Sequence, residues 1–368
     1  MRPGRGLVLF AVAAAVLLAG WLGLEYLAVL TAGRVSAQAN LDSQQAIVRA
    51  VQLVRPSVVN IDTISYTREQ VPEVFREFFG PGVEQPFPRE GVGSGVIVDP
   101  EGYILINYHV VRGATQVTAT LSDGRDLPAR IVGTDRTTDM AVVKVNARGL
   151  PAVRLGSAAQ LPIGSWVIAL GNPFRLQSTV TVGVLSARGR TLEAPDGRVL
   201  SGLLQTDAAI NPGNSGGALV DVSGRLIGIP TAIIGSAQGL GFAVSVDEAA
   251  PVMRQLIARG RVERPWLGVY YAQITPELQQ QFNLRQREGV VIVRVVAGSP
   301  AEAAGLAPGD VISAANGRPV QNPEQLRTLV SSLAPGATMR LEASRGDRTR
   351  QVQVKLGVAP AEQPEGGR

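Results

Sequence analysis

The sequence predicts a mainly β chain: a large turn-punctuated β unit, a smaller α+β unit after it, and one apolar helix ahead of both. The first observation is rhythm. Between Val92 and Val246, short β-branched runs alternate with the turn signals Asp99-Pro-Glu-Gly, Ser122-Asp-Gly, Pro195-Asp-Gly and Ser223-Gly, the punctuation of a barrel or sandwich. The second is composition: 45% hydrophobic residues supply an ample core, while 42 glycines and 24 prolines supply turns and aromatics stay at 5%. The third is that strand and helix signals mix beyond residue 265. A length of 368 residues suits two or three such units.

At the N-terminus, Arg2 and Arg5 precede an uncharged apolar run from Leu7 to Leu24. As a helix, that run can roughly cross a hydrocarbon core, and the leading arginines orient its N-terminus to the cytoplasm. The competing reading of residues 1–33 is a cleaved signal segment, because Ala37-Gln38-Ala39 has the small-x-small form. The run exceeds a signal core and lies far from that tripeptide, which favours a retained anchor. On either reading the rest of the chain is exported.

Asp42 and Ser43 cap a helix over 44–54, with Ala46, Ile47, Ala50, Val51 and Val54 on one face. Pro56 stops it and the first strand begins at Ser57-Val-Val-Asn-Ile. Residues 62–90 lack strand period and hold Phe75, Phe78 and Phe79 at helical spacing, the pattern of a short buried helix. Gly91-Val-Gly-Ser-Gly opens a strand with no helix after it, so it is no dinucleotide fingerprint. The large unit, 42–260, closes with a helix from Asp247 that carries Val252, Leu256 and Ile257 and stops at Gly260. Arg261–Pro265 is a short charged linker. In the smaller unit, 264–357, Asn316-Gly317 signals a tight hairpin, and Asn322 caps a helix to Leu333 with Pro323 at its first position. The segment 358–368, rich in Pro, Glu and Gly, reads as a disordered tail.

Chemistry concentrates in Asn211-Pro-Gly-Asn-Ser-Gly-Gly-Ala-Leu. A serine nucleophile needs a tight turn, and glycines beside it let main-chain N–H groups face a substrate. Alone, the stretch would equally suit an ordinary loop; no Gly-Lys-Ser/Thr follows, so it is not a phosphate cradle. Upstream, His109 is the chain's one histidine and ends an apolar run, and Asp139 opens the run Met140–Val145. His109, Asp139 and Ser215 follow the chain order of the Ser-His-Asp triad on the chymotrypsin-type double β-barrel. With no cysteine and one histidine, disulfides and thiolate or histidine metal sites are excluded, and no cofactor is expected. The net charge of +5 is interspersed, with no basic block to bind nucleic acid.

These stretches resemble the HtrA/Deg family of trypsin-like serine proteases with one C-terminal PDZ domain, in a membrane-anchored, DegS-like architecture. The resemblance rests on Gly93-Ser-Gly-Val-Ile-Val, Asn107-Tyr-His-Val-Val, Asp139-Met-Ala-Val-Val, Gly171-Asn-Pro-Phe, the run Thr206–Val220 and Gly239-Leu-Gly-Phe-Ala-Val, then on Trp266-Leu-Gly-Val and Ser299–Leu306 in PDZ order. It departs at Ile106, where Thr is usual, and at Pro230, where Asn is usual and a backbone donor near the substrate cleft is lost. It implies a chymotrypsin-like double β-barrel followed by an α+β PDZ domain, and an endopeptidase of unfolded or misfolded proteins that works as a homotrimer. It implies an oxyanion hole at Gly213 and Ser215, with Asn214 shaping the turn between them. Ile210 would line the primary specificity pocket, selecting small or medium aliphatic residues, and the segment 62–90 would make regulatory or intersubunit contacts. In the PDZ domain, which binds C-terminal peptides by strand addition, Leu267, Gly268 and Val269 would form the carboxylate loop. Leu326, Leu329 and Val330 would line the helix side of the groove. The alternative is a proteolytically silent PDZ scaffold or chaperone on the same fold.

Overall fold

The computed structural model describes residue 21 and residues 42–70, 84–172, 179–194, 196–211, 213–231 and 239–360. The expected anchor over 1–33 (all but Trp21), the phenylalanine cluster 75–79 and residues 361–368 of the tail lie outside the described residues. Among the described residues, no helix is long and apolar enough to cross a membrane. The chain divides into two compact units, Met1–Arg261 and Val262–Arg368.

The first unit opens with helix α1 over 42–54, which buries Ala50 and Val54 and ends in a 3-10 turn, Arg55–Ser57, built on Pro56. Six strands follow: β1 (Val58–Gln70), β2 (Glu84–Asp99), β3 (Tyr103–Asn107), β4 (Ala114–Thr120), β5 (Asp126–Asp135) and β6 (Met140–Val145). They close a barrel in the order β1-β2-β3-β6-β5-β4. Its core holds Ile61, Ile97, Ile104, Ile106, Val143 and their neighbours.

One expectation fails here. Residues 62–70 and 84–90 are not an aperiodic stretch but the arms of a long hairpin, paired from Val58↔Val96 to Gln70↔Glu84. Pro86 and Pro88 masked the strand period, yet proline is tolerated where a strand's N–H need not join the ladder. For the same reason Gly91-Val-Gly-Ser-Gly lies inside β2 and does not open it.

A second set comprises β7 (Arg154–Leu155), β8 (Trp166–Gly171), β9 (Thr179–Glu193), β10 (Val199–Thr206), β11 (Ala218–Asp221), β12 (Arg225–Thr231) and β13 (Gly241–Ser245). The order β11-β8-β9-β10-β13-β12 closes on itself through a β11–β12 pairing, and β7 joins β12 in parallel. The expected double barrel is therefore present in the first unit.

Helix α2 (Tyr108–Val111) is a single turn after β3, and helix α3 (Val246–Arg259) follows β13. The Ser245 side chain accepts from the Asp247 N–H, and Gly260 ends α3 in the left-handed region at φ 72°, where a Cβ is disfavoured. Helix α3 packs on β12 of the second barrel and on β5 and β6 of the first. Its end comes so close to Gly133 that a Cβ there would lie 2.2 Å from the Gly260 carbonyl oxygen.

The second unit pairs β14 (Pro265–Trp266) with β21 (Gly357–Val358). Its main sheet runs β15 (Val269–Gln273), β16 (Val290–Val295), β17 (Val311–Ala315), β19 (Thr338–Arg345), β20 (Arg348–Lys355), with β18 (Arg318–Pro319) beside β17. Asn316 and Gly317 turn the β17–β18 hairpin with φ of 50° and 75°, the left-handed pair such a two-residue turn requires. Helices α4 (Pro276–Phe282), α5 (Pro300–Ala303) and α6 (Pro323–Ser331) complete it. The Asn322 side chain caps α6, accepting from the Gln325 N–H at 2.9 Å.

Candidate active site

His109 and Asp139 both come from the first barrel. Asp139 sits in the β5–β6 turn at φ 57°, a left-handed conformation that aspartate tolerates better than most residues. From there it grips the segment around His109 four times. Its carbonyl accepts from the Tyr108 N–H at 2.9 Å and from Asn107 Nδ2 at 3.3 Å. Its Oδ1 accepts from the His109 N–H at 3.1 Å, and its Oδ2 lies 2.7 Å from His109 Nδ1. A carboxylate can only accept, so Nδ1 carries a proton, and in the neutral imidazole Nε2 keeps its lone pair. The Asp139 side chain is 1% exposed and the imidazole 32%, so the carboxylate is sealed while the base can meet a substrate.

The second barrel reaches the same carboxylate. Thr231 Oγ1, on β12, donates to Oδ2 at 3.2 Å, and an Arg198 guanidinium N–H donates to Oδ1 at 3.0 Å. Burial pushes the Asp139 carboxyl up, but the hydrogen bond and charge of His109 and the charge of Arg198 outweigh it and hold it below the usual carboxylate range.

Ser215 stands just before β11 in a turn whose next two positions cannot carry side chains. Gly216 has φ 82°, and a Cβ on it would lie 2.1 Å from the Ser94 carbonyl oxygen; one on Gly217 would lie 2.1 Å from that of Leu170. The turn is tied by Asn214 N–H to Asn211 O at 3.0 Å, Gly217 N–H to Asn214 O at 2.9 Å and Gly216 N–H to Pro230 O at 3.0 Å. The first barrel holds it through Ser94, fully buried on β2. The Ser94 N–H donates to Ser215 O at 2.9 Å, and its hydroxyl donates to Gly213 O at 2.5 Å while accepting from the Asn172 N–H at 2.8 Å.

Sequence reasoning assigned no role to Ser94, Thr231 or Arg198. Arg198 directly follows the Pro195-Asp-Gly turn signal, and nothing local to that turn reveals where a guanidinium will point. The Asn214 N–H is spent within the turn, on the Asn211 carbonyl. Gly213 has φ 105°, which favours glycine. Ile210 packs half-buried against the second barrel's core, and a Cβ on Gly241 would meet its side chain at 2.7 Å.

In the second unit, Leu267 is buried, and its carbonyl accepts from the Ala301 N–H at 3.0 Å. Gly268 has φ 84°, its carbonyl accepts from the Val296 N–H at 2.9 Å, and a Cβ on it would lie 2.2 Å from the Ser299 Cβ. Val269 starts β15, whose other edge has no partner strand among the described residues. On α6, which packs against β15, Leu326 is fully buried in the core, whereas Leu329 and Val330 keep exposed surface.

Residues 93–229 match the family described as the trypsin-like peptidase domain, and residues 265–356 match the PDZ domain. The chain is 40% identical over 330 residues to a probable periplasmic serine endoprotease DegP-like of Hahella chejuensis, covering 85% of this chain and 70% of that one. It is 42% identical over 332 residues to the putative serine protease HhoB of Synechocystis, covering 85% and 79%. Among solved structures, the HtrA-type protease AlgW with decapeptide superposes with a TM-score of 0.72 at 38% identity, covering 85% of this chain and 98% of that one. Two matched domains in this order, and relatives this similar along most of their length, place the chain in the HtrA family: it is a serine endopeptidase with one trypsin-like domain and one PDZ domain.

Proposed function

We propose that Ser215, His109 and Asp139 are the catalytic triad of this endopeptidase. Ser215 attacks the scissile carbonyl while His109 Nε2 takes its proton and returns it to the leaving amine. Asp139 fixes the tautomer and stabilises the imidazolium. The Gly213 and Ser215 N–H groups receive the developing oxyanion, an interaction worth roughly 3–4 kcal/mol of barrier per donor. The observation that carries this reading is the sealed Asp139 carboxylate at 2.7 Å from Nδ1 of the chain's one histidine. In the neutral imidazole such an arrangement puts the proton on Nδ1 and leaves Nε2 as the base, on a ring that is 32% exposed. Ser215→Ala should lower hydrolysis of an unfolded protein such as casein by a factor near 10⁴–10⁶ with the fold unchanged by circular dichroism. Retention of a percent of the activity would remove Ser215 from the mechanism.

The substrate class we propose is the extended chain of unfolded or misfolded proteins, cut after small or medium aliphatic residues that meet Ile210. We propose that C-terminal peptides add to the free edge of β15, with the Leu267–Val269 segment capturing the carboxylate and Leu329 and Val330 lining the helix side. The Hahella relative is named periplasmic, which together with the apolar run from Leu7 to Leu24 supports an extracytoplasmic protease held by one N-terminal helix; that it works as a homotrimer is what the family resemblance implies. Resistance to alkaline extraction from membranes, and N-terminal sequencing that finds the segment retained, test the anchor.

A further inference from the structure

The carboxylate of Asp139 has a cationic partner that the triad does not require. Arg198 leaves the β9–β10 turn of the second barrel with its side chain 11% exposed. Its Nη1 donates to Asp139 Oδ1 at 3.0 Å and to the Arg136 carbonyl at 3.2 Å, on the same turn as Asp139. Its Nε donates to Asp196 Oδ2 at 2.7 Å, and Asp196 also accepts from Arg112 at 3.1 Å. Arg112 is three residues after His109, just beyond α2. The guanidinium carbon stands 5.6 Å from the centre of the Tyr108 ring, beside His109.

We propose that Arg198 is a positioning residue for Asp139, which clamps its carboxylate across the two barrels and keeps His109 unprotonated further into the acid range. The inference rests on the triad reading. Its physical basis is a charge count. The groups facing the Asp139 carboxylate are the His109 ring and N–H from α2, the Thr231 hydroxyl from β12 and the Arg198 guanidinium from the β9–β10 turn. With neutral imidazole and no arginine, this sealed cluster would hold one uncompensated negative charge, a strong inducement for His109 to take up a proton. With Arg198 in place the resting cluster sums to zero, and protonating His109 makes it positive. The outer pair Asp196–Arg112 is neutral and holds the guanidinium from behind. A base that stays neutral is one that can still accept the Ser215 proton.

The test uses full-length protein and two variants that divide charge from hydrogen bonding. Arg198→Gln can still donate to Asp139 but is uncharged, and Arg198→Lys keeps the charge without the fork. In Arg198→Gln, the acid limb of the kcat profile on casein should move up by about one pH unit. Below the limb, kcat should then fall about tenfold with KM within about twofold, since Arg198 touches no substrate. Arg198→Lys should keep the limb near its original position. Because the chain has one histidine, its imidazole resonance can be titrated by NMR in a Ser215→Ala background, where hydrolysis plays no part. That titration should move upward with Arg198→Gln as well. An unmoved imidazole and an unmoved limb in Arg198→Gln would overturn the proposal, and so would an equal displacement in Arg198→Lys. Failure of the triad reading would show separately, as residual activity in Ser215→Ala itself.

Discussion

Asp139 of the protease unit and Asp310 of the PDZ unit are both buried against arginine, and the two sites differ in what else they admit. In the PDZ unit Asp310 is fully buried. It accepts from Arg345 Nε at 2.6 Å and Nη2 at 2.9 Å, from Arg350 at 3.3 Å, and from the Ala307 N–H of its own turn at 3.0 Å. All of these partners are donors that keep their protons at any ordinary pH. In the protease unit Asp139 has one arginine, one hydroxyl and a histidine. Both carboxyls lie below their usual range although burial pushes each of them up, Asp310 through Arg345, the Ala307 N–H and Arg350, and Asp139 through His109 and Arg198. The same device locks a turn in one unit. In the other it leaves a single partner free to change protonation, which is what proton transfer needs.

Exchanging each aspartate for its amide separates the two roles most sharply. Asp139→Asn should lower kcat by about 10⁴, because an amide no longer enforces the tautomer that leaves Nε2 unprotonated. Asp310→Asn should leave turnover of a short peptide within about twofold, since none of its partners belongs to the site. It should instead weaken the PDZ unit by about 2 kcal/mol, the scale of losing a charge-assisted hydrogen bond to a buried group. Hydrogen exchange across β17 and β19 of the full chain would read that loss, and unchanged protection would show the arginine pairs to be ornamental.

The pH dependence carries a definite sign. A carboxyl whose folded value is depressed contributes stability that is present above its unfolded value, near ~3.9, and is lost as pH falls through the lower folded value. Acid should therefore loosen β17 and β19 below about pH 4 in the unmodified protein. The Asp310→Asn variant, already weakened, should show a flatter dependence over the same window.

The smallest effect is expected of Thr231→Val. It removes one of four donors to the Asp139 carboxylate but strands no buried donor, so kcat should fall only about two- to fivefold, the scale of one neutral hydrogen bond. A loss approaching that of Asp139→Asn would mean that the second barrel, not the His109 segment, orients the carboxylate.

Much of the fold could be read locally. Turn signals such as Asn316-Gly317 and Ser223-Gly, the capping residue Asn322 and the stop at Gly260 act within a few residues of themselves. Their consequences do not depend on what packs against them. The arms of the β1–β2 hairpin were hidden because proline is an unfavourable strand signal, and only a distant partner strand makes the conformation worthwhile. The family resemblance implies Leu326 on the helix side of the groove, and the packing of α6 puts it in the core.

What the sequence by itself determined was the class of chemistry: one histidine, one aspartate opening a strand and one serine among glycines, in an order that admits few mechanisms. The tertiary structure alone decided the company those groups keep. Ser94, Thr231 and Arg198 lie 121, 16 and 17 residues in sequence from Ser215, and each reaches across from one barrel to hold a group rooted in the other. The reason is physical. A hydrogen bond or ion pair between distant segments is set by where two closed barrels meet, and no local propensity encodes the direction in which a buried arginine or hydroxyl will point.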